Sequence, residues 1–127
     1  SLPRLLYPFG SIRRVVCGPA RGSRFVVEPG IGLTYAFGTD DAVPRHFQTR
    51  VRPGMTVYDV GANKGQMMLY FARLVGERGR VVSLEPAPAE FASLRRNCAL
   101  NGLEARVRLL QVAAADRIEV DRRAQGQ

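Results

Sequence analysis

Between Thr56 and Ala113 strand-like and helix-like stretches alternate with only short loops between them, and this rhythm constrains the fold more than any other feature. Thr56 to Val60 (TVYDV) is β-branched and aromatic and runs into a glycine loop. Gln66 to Val75 places Met67, Tyr70, Phe71, Leu74 and Val75 at helical spacing. Met68, Leu69 and Ala72 make the opposite side of that helix apolar too, so it is expected to be covered on both sides. Both methionines read as core packing. After Gly76 and Gly79, Arg80 to Glu85 (RVVSLE) reads as a second strand. Pro88 to Leu100 reads as a second helix with Phe91, Leu94 and Cys98 as its inner stripe, closed by Asn101-Gly102. Val107 to Ala113 is the third strand, and the alternation of Arg106 and Arg108 with Val107 and Leu109 suits a sheet edge. The expected class is α/β, a Rossmann-like parallel sheet with strand order 3-2-1.

Upstream the texture differs. Ile12 to Cys17 and Ser23 to Glu28 read as strands around a Gly18–Gly22 turn, followed by a third extended stretch, Ile31 to Phe37. Thr39 or Asp40 is expected to cap a helix running to about Arg50, with Pro44 confined to its first turn. This divides the chain into a β-rich N-terminal module, residues 1–54, and a Rossmann-like unit, residues 55–127.

A net charge of +8 invites a nucleic-acid reading. Against it, every basic residue but Lys64 is Arg, scattered in singles and pairs without interleaved aromatics, as a GC-rich bacterial genome would produce. Nucleic acid is therefore not the expected partner. The longest apolar run, Met67 to Ala72, is too short to cross a bilayer, and the opening residues lack the pattern of a secretory signal. Cys17 and Cys98 have neither CxxC spacing nor a His cluster, which argues against a metal site and for free thiols in a reducing cytoplasm.

The chemistry concentrates in Asp59-Val60-Gly61-Ala62-Asn63-Lys64-Gly65, where the first parallel strand turns into the first helix. Open parallel sheets bind ligands at the carboxyl ends of their strands. Gly61 and Gly65 allow close approach of a ligand to the backbone, and the following helix start offers free amides. A dinucleotide loop would need glycine at Asn63 and Gln66, and a phosphate loop would end in Gly-Lys-Ser/Thr where Gly65 is followed by Gln66, so a cofactor without a pyrophosphate fits better. Glu85 ends the second strand. On its own it could cap the next helix or accept both hydroxyls of a ribose; paired with the glycine loop one strand earlier, the ribose role is favoured.

DVGANKG, then GRVVSLEPAP, then a helix ending in NCALNG, resembles the FkbM-type methyltransferases of the class I S-adenosylmethionine-dependent superfamily, over roughly residues 38–116. The resemblance implies that Asp59, Gly61, Ala62, Asn63 and Gly65, with Gln66 beside them, cradle the methionine end and ribose of S-adenosylmethionine. It implies that Glu85 takes the ribose hydroxyls and that Pro86 lies near the adenine. Three positions depart from the pattern. Gly38-Thr39-Asp40-Asp41 replaces a Gly-Thr-Tyr-Glu element, and Lys64 replaces an apolar residue. Ala113 stands where an Asp usually meets the adenine amine, with Asp116 three residues later.

The expectation is an S-adenosylmethionine-dependent O-methyltransferase acting on a small hydroxylated metabolite, sugar or lipid. The rivals are a non-catalytic cofactor-binding or assembly fragment and an RNA methyltransferase. The sequence reads as the N-terminal portion of the domain, expected to be inactive alone, with an unpaired sheet edge suited to homodimer formation. It names no catalytic base: His46, the lone histidine, precedes the first parallel strand and is expected at the surface or in packing.

Overall fold

The computed structural model describes residues 5–18, 20–30, 36–37, 42–114 and 119–120. Strands β1 (Ile12–Arg14) and β2 (Arg24–Val26) form an antiparallel hairpin with Arg13 opposite Phe25. Helix α1 (Ala42–Arg50) follows, with Pro44 in its first turn. Then come β3 (Thr56–Val60), α2 (Gln66–Val75), β4 (Arg80–Leu84), α3 (Pro88–Leu100) and β5 (Val107–Leu110). The strands β3, β4 and β5 lie parallel in the order β3-β4-β5, with Tyr58 opposite Val82 and Val82 opposite Arg108. This is the expected order, with β5 at one edge. Among the described residues no helix is long and apolar enough to cross a membrane.

The third parallel strand is shorter than expected. The ladder with β4 stops at Leu110, and beyond Gln111 the chain starts a separate antiparallel pair, β6 (Val112–Ala113) with β7 (Glu119–Val120). Strand-forming residues on both sides of Gln111 cannot signal this change of partner, because both strands want the same residue types. Of the stretch Ile31 to Phe37, only Ala36 and Phe37 are described, and they are helical rather than extended. The capping residues Thr39 and Asp40, and Asp116, lie outside the described residues.

Period-two alternation sorts the sheet into two faces. Asp59, Val81, Ser83 and Val107 are buried on the helix side, while Tyr58 and Val60 are 69% and 61% exposed on the other. Helix α2 is buried nearly all round: Met68, Leu69, Tyr70, Phe71, Ala72 and Val75 are each at most 5% exposed. One side of the helix packs on β3 and β4. Residues preceding β3 supply further cover, with Phe47 of α1 meeting Phe71 edge-on at 5.0 Å and Ala20 and Val51 joining the same cluster. A pair of that geometry adds about 0.5–1.5 kcal/mol beyond its burial.

The hairpin packs on α3 instead of extending the parallel sheet. Its own small core is Val15, Phe25, Val27 and Ala36. The free side of β2 is satisfied by two side chains of α3 and its cap. Val26 N donates to Asn97 Oδ1 at 3.0 Å, and Arg24 N donates to Asn101 Oδ1 at 2.7 Å, while Asn101 Nδ2 returns a bond to Arg24 O at 2.7 Å. Two strand residues advance about 6.7 Å and four helical residues about 6 Å, so asparagines one turn apart match alternate strand amides.

Candidate functional site

The loop from Val60 to Gly65 leaves the carboxyl end of β3 and is tied at once to its neighbour: Gly61 N and Ala62 N both donate to Leu84 O at 2.9 Å. The loop then turns through left-handed backbone at Gly61 (φ 74°), Asn63 (φ 54°) and Gly65 (φ 104°). At Gly65 two requirements coincide. The positive φ suits glycine, and a Cβ there would sit 2.9 Å from Met68 Cε and 3.1 Å from Leu94 Cδ1. Close packing of α2 against α3 therefore depends on this residue. At Gly61 a Cβ would meet nothing within 4 Å, so the loop opens on that side.

Glu85, which follows β4, is 7% exposed, and its carboxylate is held by backbone at both oxygens. Asn63 N donates to Oε1 at 2.8 Å, and Ala87 N donates to Oε2 at 2.9 Å. It thus fastens the left-handed turn of the loop and also supports the start of α3, the humbler role that the sequence allowed. A carboxylate offers about four lone-pair sites, so each oxygen retains acceptor capacity after these bonds.

Asp59 is also 7% exposed, and it accepts the Ser83 hydroxyl on Oδ2 at 3.2 Å. Burial pushes its carboxyl pKa up, the Ser83 bond pulls it down, and the negative charge of Glu85 pushes it up again. Its side chain braces the strand pair under the loop. Ala62 is buried, Gly61 and Asn63 are exposed, and Gln66 and Pro86 are half-buried at the starts of α2 and of the segment leading to α3. The structure therefore gathers Asp59, Gly61, Ala62, Asn63, Gly65, Gln66, Glu85 and Pro86 around one end of the sheet. Ala113 is different: it is exposed and paired with Glu119 in the separate hairpin.

Sequence reasoning missed several residues around this loop. Asn97, 1% exposed, donates from Nδ2 to Lys64 O at 2.8 Å while accepting Val26 N. Its signal was an asparagine one turn beyond Leu94 on the inner stripe, where a polar side chain has to find partners. The Lys64 side chain reaches the segment after β2, donating to Pro29 O at 2.9 Å and lying 3.7 Å from Glu28 Oε2. Glu28 also accepts Ser93 Oγ at 2.6 Å and pairs with Arg96. Gln111 stands where β5 breaks, next to Leu110, whose carbonyl accepts Glu85 N at 3.0 Å. Its Nε2 is buried and has no hydrogen-bond partner among the described residues. His46 is exposed on α1, with Nδ1 3.3 Å from Arg50 Nη1, so it takes the surface position expected of it.

The profile of the family described as Methyltransferase FkbM domain matches residues 59–124. Over 84 residues the chain is 43% identical to the 31-O-demethyl-FK506 methyltransferase FkbM of Streptomyces tacrolimicus, covering 66% of this chain and 31% of that protein. It is 31% identical over 121 residues to the ribosomal protein L11 methyltransferase of Pelotomaculum thermopropionicum, covering 88% of this chain and 39% of the relative. The fold matches that of an rRNA-methylase candidate from Clostridium thermocellum with a TM-score of 0.55 and 26% identity, over 57% of this chain and 39% of the other. The chain thus spans between three and four tenths of the length of each.

Proposed function

Because the chain belongs to the FkbM family of class I methyltransferases, whose cofactor is S-adenosylmethionine, we propose that it holds that cofactor across the β3–α2 loop of a methyltransferase acting on a hydroxyl of a small molecule. The observation that carries this reading is Glu85, a carboxylate fixed at both oxygens beside the glycine loop with acceptor capacity left over. In this reading Glu85 accepts the two ribose hydroxyls. Gly61, Ala62, Asn63 and Gly65, continued by Gln66, line the methionine end, where a Cβ-free backbone and the start of α2 allow close approach. Asp59 holds the strands under the loop, and Pro86 lies along the adenine. Gln111 takes the place that sequence reasoning gave to Ala113, with its unpaired amide donating to a ring nitrogen of adenine.

Bound S-adenosylmethionine supplies a methyl group on a sulfonium, which passes in line to a nucleophile. The residues described here bind and orient, and orientation supplies much of the rate when reacting atoms are held in line. A hydroxyl acceptor is favoured by the 31-O-demethyl-FK506 methyltransferase among the relatives. An RNA acceptor is the competing outcome, and steep loss of acceptor binding with salt would favour it.

Calorimetry with S-adenosylhomocysteine tests the cofactor site. Wild type should bind it more tightly than NAD, and Glu85→Ala should weaken binding at least about tenfold, since charge-assisted hydrogen bonds are worth about 1.5–3 kcal/mol each before water competes. A thermal melt of the variant separates lost binding from lost folding. Unchanged affinity in a folded Glu85→Ala variant, or tighter NAD binding, would remove the assignment.

A further inference from the structure

At the opposite end of the sheet from the glycine loop lies a second concave site, of about 410 Å³. Its walls come from the hairpin turn (Gly22 to Arg24), the last turns of α2, the end of α3 and the residue before β5. Arg14, Arg24, Arg73 and Arg106 line it together with Leu69 and Leu103, and among the described residues no carboxylate does. A volume of this size falls within the range of small-ligand sites.

Three of the guanidiniums are fixed by backbone carbonyls. Arg14 Nη1 donates to Gly22 O at 3.0 Å, Arg24 Nη2 to Leu100 O at 2.6 Å, and Arg106 Nη1 to Ala72 O at 2.8 Å. Each such bond consumes one of five N–H donors and leaves the rest of the fork available. The fourth, Arg73, has no hydrogen bond or ion pair among the described residues. It passes close over Gly22, where a Cβ would lie 3.0 Å from Arg73 Nη2. Both ion pairs among the described residues go to Glu28, and neither involves these arginines. Like charges are thus gathered around one cavity, three of them oriented by backbone carbonyls, and none is paired with an acid among the described residues.

We propose that this cavity is an anion-binding site for a phosphate-bearing small molecule, separate from the cofactor loop. Guanidinium forks converging from different elements match a tetrahedral oxyanion carrying two or more charges, each fork taking two oxygens. A compact cavity, rather than a track of cations along the surface, selects a single phosphate or diphosphate over an extended nucleic-acid backbone.

Inorganic pyrophosphate is the probe, titrated into the protein by calorimetry at physiological ionic strength. Saturable one-to-one binding with Kd at or below about 1 mM is expected. Arg73→Gln should weaken it about tenfold with an unchanged melting temperature, because Arg73 makes no hydrogen bond or ion pair among the described residues. Glu85→Ala should leave it unchanged, so failure here and failure of the cofactor assignment can be told apart. Phosphate in place of pyrophosphate should bind more weakly at the same site and lose the same factor in Arg73→Gln. No saturable binding, an Arg73→Gln variant within about twofold of wild type, or binding confined to single-stranded RNA with a steep salt dependence would each overturn the proposal.

Discussion

Gln111 carries the sharpest conflict at the scale of single residues. A buried amide without a partner among the described residues costs about 1–3 kcal/mol unless a bound molecule satisfies it, and bound cofactor is the partner proposed above. Gln111→Leu should therefore leave stability unchanged or raise it, while weakening S-adenosylhomocysteine about threefold or more; denaturant melts and calorimetry on the same samples check both halves. Asp59 makes a pH-dependent prediction. Its pKa is raised in the folded state by burial first, so the native protein holds that proton more tightly than the unfolded chain. Stability contributed by this group is present at low pH and is lost as pH rises from the ordinary carboxylate value through the raised one. Asp59→Asn keeps an acceptor for Ser83 and removes the loss, so urea unfolding should show the variant gaining on wild type between pH 4 and pH 7. The residue-level reading of the sequence found Glu85 and the glycines because glycine spacing and a carboxylate at a strand end are local patterns. It could not find Gln111, because which residue ends β5 depends on where pairing with β4 stops.

At the scale of elements, α3 ties the molecule together. It presents Leu94 and Cys98 to the main core, Asn97 and Asn101 to the edge of β2, and Ser93 with Arg96 to Glu28. Asn97 joins the N-terminal hairpin to the glycine loop through one side chain. Asn97→Ala strands the Val26 amide and the Lys64 carbonyl, and a loss of about 2–5 kcal/mol is expected from urea melts. Amide exchange at Val26 should accelerate in the same variant. The inner stripe read from sequence holds, with Leu94 and Cys98 buried and Phe91 half-buried against the same core, but apolar periodicity does not count polar residues, so Ser93 and Asn97 were left out of it.

At the scale of the whole molecule, the layers are unequal. Helices cover one face of the parallel sheet, and Ala20, Phe47 and Val51 pack on the cluster around α2, so this helix is covered on both sides, as its all-round apolar character led one to expect. Apolar exposure falls instead on Tyr58 and Val60, on the other face of β3. Among the described residues no strand pairs with the outer side of β3, since the hairpin that could have done so packs on α3. An unpaired edge beside exposed apolar side chains templates association. Sedimentation should show an average mass that rises with concentration, and Tyr58→Lys should hold the protein monomeric. A monomer at every concentration would show that this surface does not self-associate.

The amino-acid sequence alone determined the parallel α/β unit. The spans of β3, α2 and α3, the order of the sheet and the left-handed turns of the loop follow from periodicity, end signals and glycines that act within a few residues of one another. Tertiary structure decided what those local rules cannot reach. It set the early end of β5, the seat of the hairpin on α3, the grip of Glu28 on Lys64, and the meeting of arginines from the hairpin, α2 and the approach to β5 around one cavity. Each of these brings together residues far apart in the chain. The choice among partners there rests on which buried donors and acceptors can be satisfied at once, and that is settled only when the elements have packed.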